Sequence, residues 1–473
     1  MRSRTRILWG TALALTCSLM AAQILAAEVP VLHSDRSDLQ EVYLTVYNQN
    51  LALVREVREI NLPAGDFSLE YREVPSSIQP ATLLVEADPR TRLTLYDQNY
   101  EYDLMTPDKI LEKYVGREVS WIQEDGSRIT GRLLGVNGRP VYQVGEEILF
   151  GVPGRLALPD LPPNLRARPT LVWNAHAGQS GKTRVEASYL TGGLNWHCDY
   201  VLQLDRAGTS AGMQAWVTLD NQCGTGFDGA TLQLVAGDIN RATQDRARPM
   251  DMGFAVKSLA GAPPSFQEES LYDYHLYTLD RPTDLKDKQT KQVSLFDRSG
   301  IKVSRRYLLQ GNPRFFRGYD QLQDYGKIKV IYSFENAEDN RLGMPMPAGV
   351  VRIYGLSSSG GRQLLGEDRI DHTPQDETVD LTVGTAFDIV AERVRESVEK
   401  VSDRITRNTN RVTLRNHKDE DIVVDVREPV GGQWEVLEST FPAKRISASE
   451  LGFSVPVKAG KEAVLKYRVE VRY

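Results

Sequence analysis

The feature that most constrains the fold is the alternation of apolar and polar residues between Thr183 and Gly237. Val185, Ala187 and Tyr189 occupy alternate positions there, and the Gly192-Gly193 pair follows them. A period of two places such side chains on one face of a strand, whereas a helix requires a period near 3.6. Four strand-like runs joined by glycine-containing turns therefore predict antiparallel β-structure in this stretch.

Similar alternation recurs along most of the chain, so the predicted fold class is all-β. We expect several domains of antiparallel β-sandwich type with a small SH3-like or Sm-like β-barrel insert. The predicted organisation is a signal peptide at 1–27, an N-terminal β-domain at 28–105, a small barrel with a short leading helix at 106–163, a hairpin or sandwich segment at 164–240, a flexible loop at 241–268, a β-sandwich at 269–384 and a C-terminal sandwich portion at 385–473.

The barrel is predicted from turn residues and from one helix start. Thr106 and Pro107 suit the N-cap and first turn of a helix. Asp125-Gly126 and Asn137-Gly138 then join short apolar runs, as in tight hairpins. Residues 385–410 are ambiguous, because their valines have helical spacing but their flanks read as strands. We favour long strands there.

The first residues predict export. A basic start, MRSRTR, precedes an apolar run and the small residues Ala26 and Ala27. This is typical of a signal peptide cleaved near Ala27, and the alternative is an uncleaved N-terminal anchor. The mature chain, which contains no later run apolar enough to span a bilayer, is expected in the periplasm or outside the cell.

Two cysteines remain after cleavage, Cys198 and Cys223. An oxidising compartment favours their pairing. If the chain between them reverses near Ser210, the two residues lie opposite each other at the open end of a hairpin. The sequence therefore predicts a Cys198–Cys223 disulfide, and a reactive thiolate or zinc ligand beside His197 is the alternative.

Charge and motifs exclude several classes of function. The 57 basic residues are scattered among 63 acidic ones, so no basic face for nucleic acid is expected. The run AHAGQSGKT resembles a phosphate-binding loop, but His176 stands at its first glycine position and a strand follows it. No cofactor is predicted.

One acidic group remains as a candidate binding site: Glu367, Asp368, Asp371 and His372. Oxygen ligands suit a hard cation, and paired carboxylates suit glycoside cleavage. A solvated strand edge accounts for the same residues, since charge protects an edge from aggregation. The spacing matches no dedicated metal loop, so neither a catalytic residue nor a metal ligand is assigned.

Several runs together resemble a known family. They are TGGLNWHCDYVLQL from Thr191, LQLVAGDIN from Leu232, YHLYTL from Tyr274, LGMPMPAGVVRIY from Leu342, LGEDRIDHTP from Leu365 and VTLRNHKDEDIVVDVREP from Val412. In this order they are similar to secreted bacterial proteins classed as domain of unknown function 4139, and more distantly to mucoidy-inhibitor-like proteins. The resemblance covers about Thr170 to Tyr473. It implies an exported β-sandwich protein and implies no reaction.

The predicted function is therefore that of an exported, non-enzymatic cell-envelope protein that binds or scaffolds another protein or a glycan. The alternatives are a hydrolase of envelope glycan that uses acidic residues such as Glu367 and Asp371, and a metal-binding module. The oligomeric state is left open.

Overall fold

The structure, a computed structural model, describes residues 29–103, 105–161, 165–237, 239–240, 266–318 and 320–473. The predicted signal peptide at 1–27 and most of the predicted loop at 241–268 lie outside these residues. Of the helices in the described ranges, none is long and apolar enough to cross a lipid bilayer.

Strands dominate the described chain, which confirms the all-β prediction. In the first third, strands surround a single described α-helix: β1 Val31–Ser34, β2 Leu39–Tyr47, β3 Leu51–Leu62, β4 Gly65–Arg72, β5 Leu84–Ala87, β6 Leu93–Glu101, α1 Pro107–Tyr114, β7 Glu118–Ile122, β8 Arg128–Gly135, β9 Val141–Val144, β10 Glu147–Leu149 and β11 Arg155–Ala157.

Longer strands make up the middle of the chain: β12 Thr170–Ala177, β13 Gly181–Thr191, β14 Leu194–Leu204, β15 Ser210–Asn221, β16 Phe227–Ala236, β17 Phe266–Leu271, β18 Tyr274–Leu279, β19 Thr283–Leu285, β20 Gln289–Lys302 and β21 Ser304–Gln310. The remaining strands are β22 Gln323–Gly326, β23 Ile328–Glu335, β24 Gly349–Leu356, β25 Arg362–Ile370, β26 Thr378–Thr385, β27 Ile389–Ser402, β28 Ile405–Asn416, β29 Ile422–Pro429, β30 Gln433–Ser439, β31 Ala443–Ser447, β32 Glu450–Val457 and β33 Glu462–Arg472. The ambiguous segment at 385–410 is thus strand, as favoured.

Three sheets contribute most of the largest hydrophobic core. The first sheet has the order β1-β4-β12-β6, and the long sheet has the order β17-β18-β16-β2-β3-β13-β5 with β19 beside β16. The central sheet has the order β20-β15-β14-β24-β25. Residues from 42–62, 171–177 and 194–219 meet in this one core, so segments far apart in sequence are packed together.

Two further sheets form the C-terminal sandwich. The bridging sheet has the order β26-β23-β21-β29-β32-β31, and the C-terminal sheet has the order β22-β27-β28-β33-β30. Their facing residues form a second core, whereas β23 and β26 also contribute Phe334 and Leu381 to the first core. The bridging sheet therefore belongs to both cores.

The sheets are mixed rather than purely antiparallel. Four pairs run parallel: β1 with β4, β16 with β2, β14 with β24, and β21 with β29. Each of the last three joins strands that are distant in sequence, and parallel neighbours require such long connections. The prediction of antiparallel sandwiches is correct for most pairs and wrong for these four.

The insert between the first sheet's strands carries a separate small core around Tyr114, Trp121 and Tyr142. Helix α1 begins where predicted, because the Thr106 side chain accepts a hydrogen bond from the Lys109 backbone N–H. The small sheet has the order β10-β9-β8-β7-β11, so that β11, the last of its strands along the chain, pairs with β7, the first. No pairing joins β10 to β11 among the described residues, so the predicted barrel is an open, bent sheet.

The predicted disulfide is wrong: Cys198 and Cys223 are both free and buried. The hairpin reverses earlier than expected, so that Cys198 on β14 faces Val217 on β15. Gln222, the neighbour of Cys223, donates its backbone N–H to the Gly193 carbonyl at 2.6 Å. Five strand residues, about 16 Å, thus separate the two cysteines along β14. A disulfide requires Cα atoms within about 7 Å.

Candidate functional site

The structure separates the four residues that the sequence grouped as a candidate site. Glu367 and Asp368 lie on β25, whereas Asp371 and His372 follow in the loop that leads to β26. Successive strand residues point to opposite faces, so the side chains of Glu367 and Asp368 diverge. Only Asp368 is partly buried, and the other three are exposed.

Glu367 ends a chain of polar contacts across the outer face of the central sheet. Arg352 on β24 donates to Glu367 Oε1 at 3.1 Å and to Asp199 Oδ1 on β14 at 2.9 Å. Thr218 on β15 donates to Asp199 Oδ2 at 2.7 Å, and Gln292 on β20 donates to Thr218 at 3.0 Å. We call these five residues the polar ladder. The ladder links all five strands of the central sheet.

The polar ladder stabilises the ionised form of Asp199. Burial alone would raise the pKa of Asp199, but hydrogen bonds from His197, Thr218 and Arg352 outweigh it and hold that pKa well below its usual range. His197 lies 3.2 Å from Asp199, measured from Nε2 to Oδ2. A carboxylate held ionised in this way is poorly matched to proton transfer near neutral pH.

The other predicted residues connect structural elements. Asp368 Oδ2 accepts the backbone N–H of Thr382 at 2.6 Å, which fastens the edge of the central sheet to the bridging sheet. His372 Nδ1 accepts the backbone N–H of Ala348 at 3.2 Å. The Asp371 carbonyl accepts a hydrogen bond from the Thr373 hydroxyl at 2.8 Å.

These contacts do not favour hydrolysis or metal binding at this position. Glycoside cleavage needs two carboxyl groups that face each other across a substrate. Here Glu367 engages an arginine, and Asp368 engages the main chain on the other side of β25. In the part of the chain that the structure describes, no group of three or more His, Cys, Asp or Glu side chains is placed to hold a metal ion.

A different site lies at the open side of the sandwich between the first sheet and the long sheet. We call it the sandwich groove: a cavity of about 310 Å³ between β5 and β6. Its lining residues are Val85, Ala87, Asp88, Pro89, Arg92, Leu93 and Leu95. Aliphatic side chains line its two walls, Asp88 and Arg92 lie at one end, and polar atoms make up most of its exposed surface.

The walls of the sandwich groove are the inward faces of two edge strands. Val85 and Ala87 lie opposite the buried residues Ala187 and Val185 of β13, so they point into the sandwich. Leu93 and Leu95 lie likewise opposite buried alanines of β12. Strands β5 and β6 end their sheets, and the outer backbone edge of each has no neighbouring strand among the described residues.

Sequence reasoning missed the sandwich groove because its two walls belong to different sheets. The sequence did contain one signal, the short run LLVEA before Asp88-Pro89. A proline cannot donate a hydrogen bond to a neighbouring strand, so its position here indicates a short strand at the edge of a sheet. Alternation in 93–96 predicts that Leu93 and Leu95 share a face, but it does not show which strand opposes them.

A second cavity, of about 340 Å³, lies between β21 and β29. Its charged residues already neutralise one another: Arg305 contacts Glu420 at 2.6 Å, and Arg306 contacts Asp425 at 4.0 Å. Strands β21 and β29 are hydrogen-bonded neighbours in the bridging sheet, whereas the sandwich groove lies between two strands that end their sheets among the described residues.

Comparison with known proteins adds no family to this description. Neither a scan against protein-family models nor a search of curated proteins gave a match to the chain. The functional argument therefore depends on the geometry of the groove and on the residues that line it.

Proposed function

We propose that this protein is an exported, non-enzymatic component of the cell envelope that binds an extended segment of another protein in the sandwich groove. The observation that carries the proposal is the groove itself, a cavity with aliphatic side chains on its walls, bounded by two strands that end their sheets among the described residues. Export and the resemblance to the secreted family described above are part of the proposal and derive from the sequence.

The groove suits the addition of a strand. An extended segment beside β5 would make main-chain hydrogen bonds to its free edge, and every second side chain would point into the cavity. A volume of about 310 Å³ is at the lower end of the range for ligand pockets, so it accommodates one or two apolar side chains. Specificity would come from those side chains and from Asp88 and Arg92 at the rim.

A polypeptide is favoured over a glycan for this groove. Its walls are aliphatic, and the described lining contains no aromatic ring on which a sugar could stack. The glycan hydrolase alternative depended on Glu367 and Asp371, but the Glu367 carboxylate is engaged by Arg352. The metal-binding alternative lacks a ligand cluster among the described residues.

Site-specific photocrosslinking in living cells tests the proposal. A photoreactive residue replaces Arg92, an exposed residue at the charged end of the groove. We expect a reproducible crosslinked protein, identified by mass spectrometry. Ala87→Leu fills the groove with an apolar side chain and should abolish this product.

Two controls make the result specific. Leu84→Ala alters the outward face of β5, where Leu84 is 57% exposed, and should leave the product in place. A photoreactive residue at Tyr325, 63% exposed on β22, should not capture the same protein. The proposal fails if position 92 captures nothing beyond position 325, or if Ala87→Leu leaves the product unchanged.

A further inference from the structure

The interior of the C-terminal sandwich contains a group of polar side chains unrelated to the sandwich groove. We call it the buried polar cluster: Arg393, Asn408, Asn410, Glu428 and Tyr467. All five are at most 1% exposed. Fully buried polar groups are uncommon and nearly always have hydrogen-bond partners.

The cluster joins the two sheets of the sandwich. Arg393 lies on β27 of the C-terminal sheet, and Glu428 lies on β29 of the bridging sheet. Arg393 donates from both Nε, at 3.1 Å, and one terminal nitrogen, at 2.9 Å, to the same oxygen, Glu428 Oε1. The other terminal nitrogen of Arg393 and the other carboxylate oxygen of Glu428, Oε2, therefore lie outside this contact.

Strand pairing brings the other members alongside. Asn410 on β28 lies directly opposite Tyr467 on β33, and Asn408 is two residues away on the same face. The Tyr467 hydroxyl lies within hydrogen-bonding reach of both Glu428 and Asn410. All five side chains thus point into the same part of the sandwich interior.

Six buried polar atoms of the cluster lack an aligned hydrogen bond to protein. They are Arg393 Nη1, Glu428 Oε2, Asn408 Oδ1, Asn410 Oδ1, Asn410 Nδ2 and the Tyr467 hydroxyl oxygen. A buried polar group without a partner costs on the order of 1–3 kcal/mol. The Tyr467 hydroxyl can pair with Glu428 or Asn410, but Arg393 Nη1, Asn408 Oδ1 and part of the Asn410 amide remain without a protein partner, which favours a further partner for the cluster.

The chemistry of the six atoms selects the partner. Arg393 Nη1 and Asn410 Nδ2 can only donate, the two asparagine oxygens and Glu428 Oε2 can only accept, and the tyrosine hydroxyl can do both. An anion would satisfy the donors and repel Glu428, whereas a cation would be repelled by Arg393. Water both donates and accepts, carries no charge and is small enough for an enclosed site.

The neighbouring Arg395 does not change this balance. Its guanidinium is turned to main-chain carbonyls of the 314–320 segment: Nε donates to Asp320 O at 2.9 Å, and one terminal nitrogen donates to Arg317 O at 2.9 Å. The other terminal nitrogen also donates to Asp320 O. Arg395 is thus committed elsewhere and adds no further donor to the cluster.

We propose that the buried polar cluster is a binding site for ordered internal water, which bridges Arg393 and Glu428 to Asn408, Asn410 and Tyr467. The water completes the link between the two sheets of the C-terminal sandwich. The site is built from side chains of both sheets, so it forms only when the sandwich has closed.

A high-resolution crystal structure of the chain beginning at Glu28, from crystals soaked in bromide, tests the proposal directly. We expect water density within hydrogen-bond distance of Asn410 and Glu428 Oε2, and no bromide anomalous signal there. Oxygen-17 relaxation dispersion of the same protein counts long-lived internal water in solution. Asn410→Leu should lower that count by at least one.

Asn416 provides a matched control on the same strand. Its side chain is also buried, but it donates to the carbonyls of Glu420, Val457 and Lys458 at 2.9–3.3 Å and accepts the Lys418 N–H at 3.0 Å. Asn416→Leu should leave the internal water count unchanged. Bromide at the cluster, density in which side chains pair with all six atoms and no water is present, or equal counts for wild type and Asn410→Leu would each overturn the proposal. If a variant does not fold, the wild-type density decides.

Discussion

Arg58→Met should destabilise the protein strongly, because Arg58 holds a buried charge in the largest core. Its side chain is 1% exposed on β3 and donates to Glu56 Oε2 at 2.7 Å. It also donates to the carbonyls of Ser34 at 3.1 Å and Arg72 at 3.0 Å. The guanidinium lies 3.6 Å above the centre of the Tyr71 ring.

The expected loss follows from what the substitution leaves behind. Glu56, whose side chain is 3% exposed, would keep two tyrosine hydroxyl donors but lose its counter-charge. Breaking a buried ion pair by removing one partner costs about 3–5 kcal/mol. The two carbonyls also lose a donor, although such losses do not add fully. We therefore expect the free energy of unfolding to fall by about 4 kcal/mol.

Arg55→Met is the matched control. Arg55 lies on the same strand with its side chain 40% exposed, and it contacts Glu186 at 3.4 Å. Exposed ion pairs contribute about 0–1 kcal/mol, so this variant should stay close to wild type. Urea unfolding, followed by circular dichroism, measures both variants, and an unchanged denaturant slope shows that the difference is one of stability.

A double variant, Glu56→Gln with Arg58→Met, separates charge from packing. It removes the uncompensated carboxylate and retains a group that the tyrosine hydroxyls can contact. We expect it to recover part of the stability lost in Arg58→Met. The reasoning is refuted if Arg58→Met lies within about 1 kcal/mol of Arg55→Met, or if the double variant is less stable than Arg58→Met.

Three further predictions concern other parts of the fold. Burial raises the pKa of the Cys198 thiol to about 12 and that of the Cys223 thiol to about 11. Both thiols should therefore resist iodoacetamide in the native protein at pH 8 and react with it after unfolding without reductant. A disulfide would instead leave both cysteines unreactive after unfolding. Gly349→Ala should cost about 1–3 kcal/mol in urea unfolding, because its Cβ would lie 2.1 Å from the Cys198 carbonyl oxygen, whereas Gly384→Ala, with open space, should cost less. Hydrogen bonds from the Arg90 side chain and then from the Arg90 backbone N–H lower the pKa of Asp88 from 3.8 to about 2. The stabilising contribution of Asp88 is therefore present above pH 3.8 and is lost as pH falls through 2. Unfolding curves of Asp88→Asn should lack that part of the pH dependence, and pH profiles identical to wild type would count against the prediction.

Local patterns were sufficient to predict the elements of the fold. The helix at Pro107–Tyr114 was predictable because its N-cap threonine and first-turn proline act within one turn. The strands across 385–410 were predictable from their flanks, although their valines have helical spacing. In each case the deciding interaction lies within a few residues of the position predicted.

The candidate site was less predictable because its partners are remote in sequence. Glu367 was singled out from the sequence, but Arg352 reaches it from the neighbouring strand and connects it to Asp199, more than 150 residues away. The disulfide prediction failed because a small change in where a hairpin reverses moves every residue relative to its partner. Neither the register nor the remote partner is encoded in the alternation itself.

The sequence alone determined that this chain is all-β and which residues of a strand share a face, because side-chain alternation is a local property of extended backbone. Only the tertiary structure decided which strands are neighbours. It placed β14 parallel to β24, kept the cysteines apart, and set β5 and β6, close in sequence, at the open ends of two different sheets. The physical reason is that pairing and packing depend on contacts across the whole chain, and the sandwich groove and the buried polar cluster exist only through them.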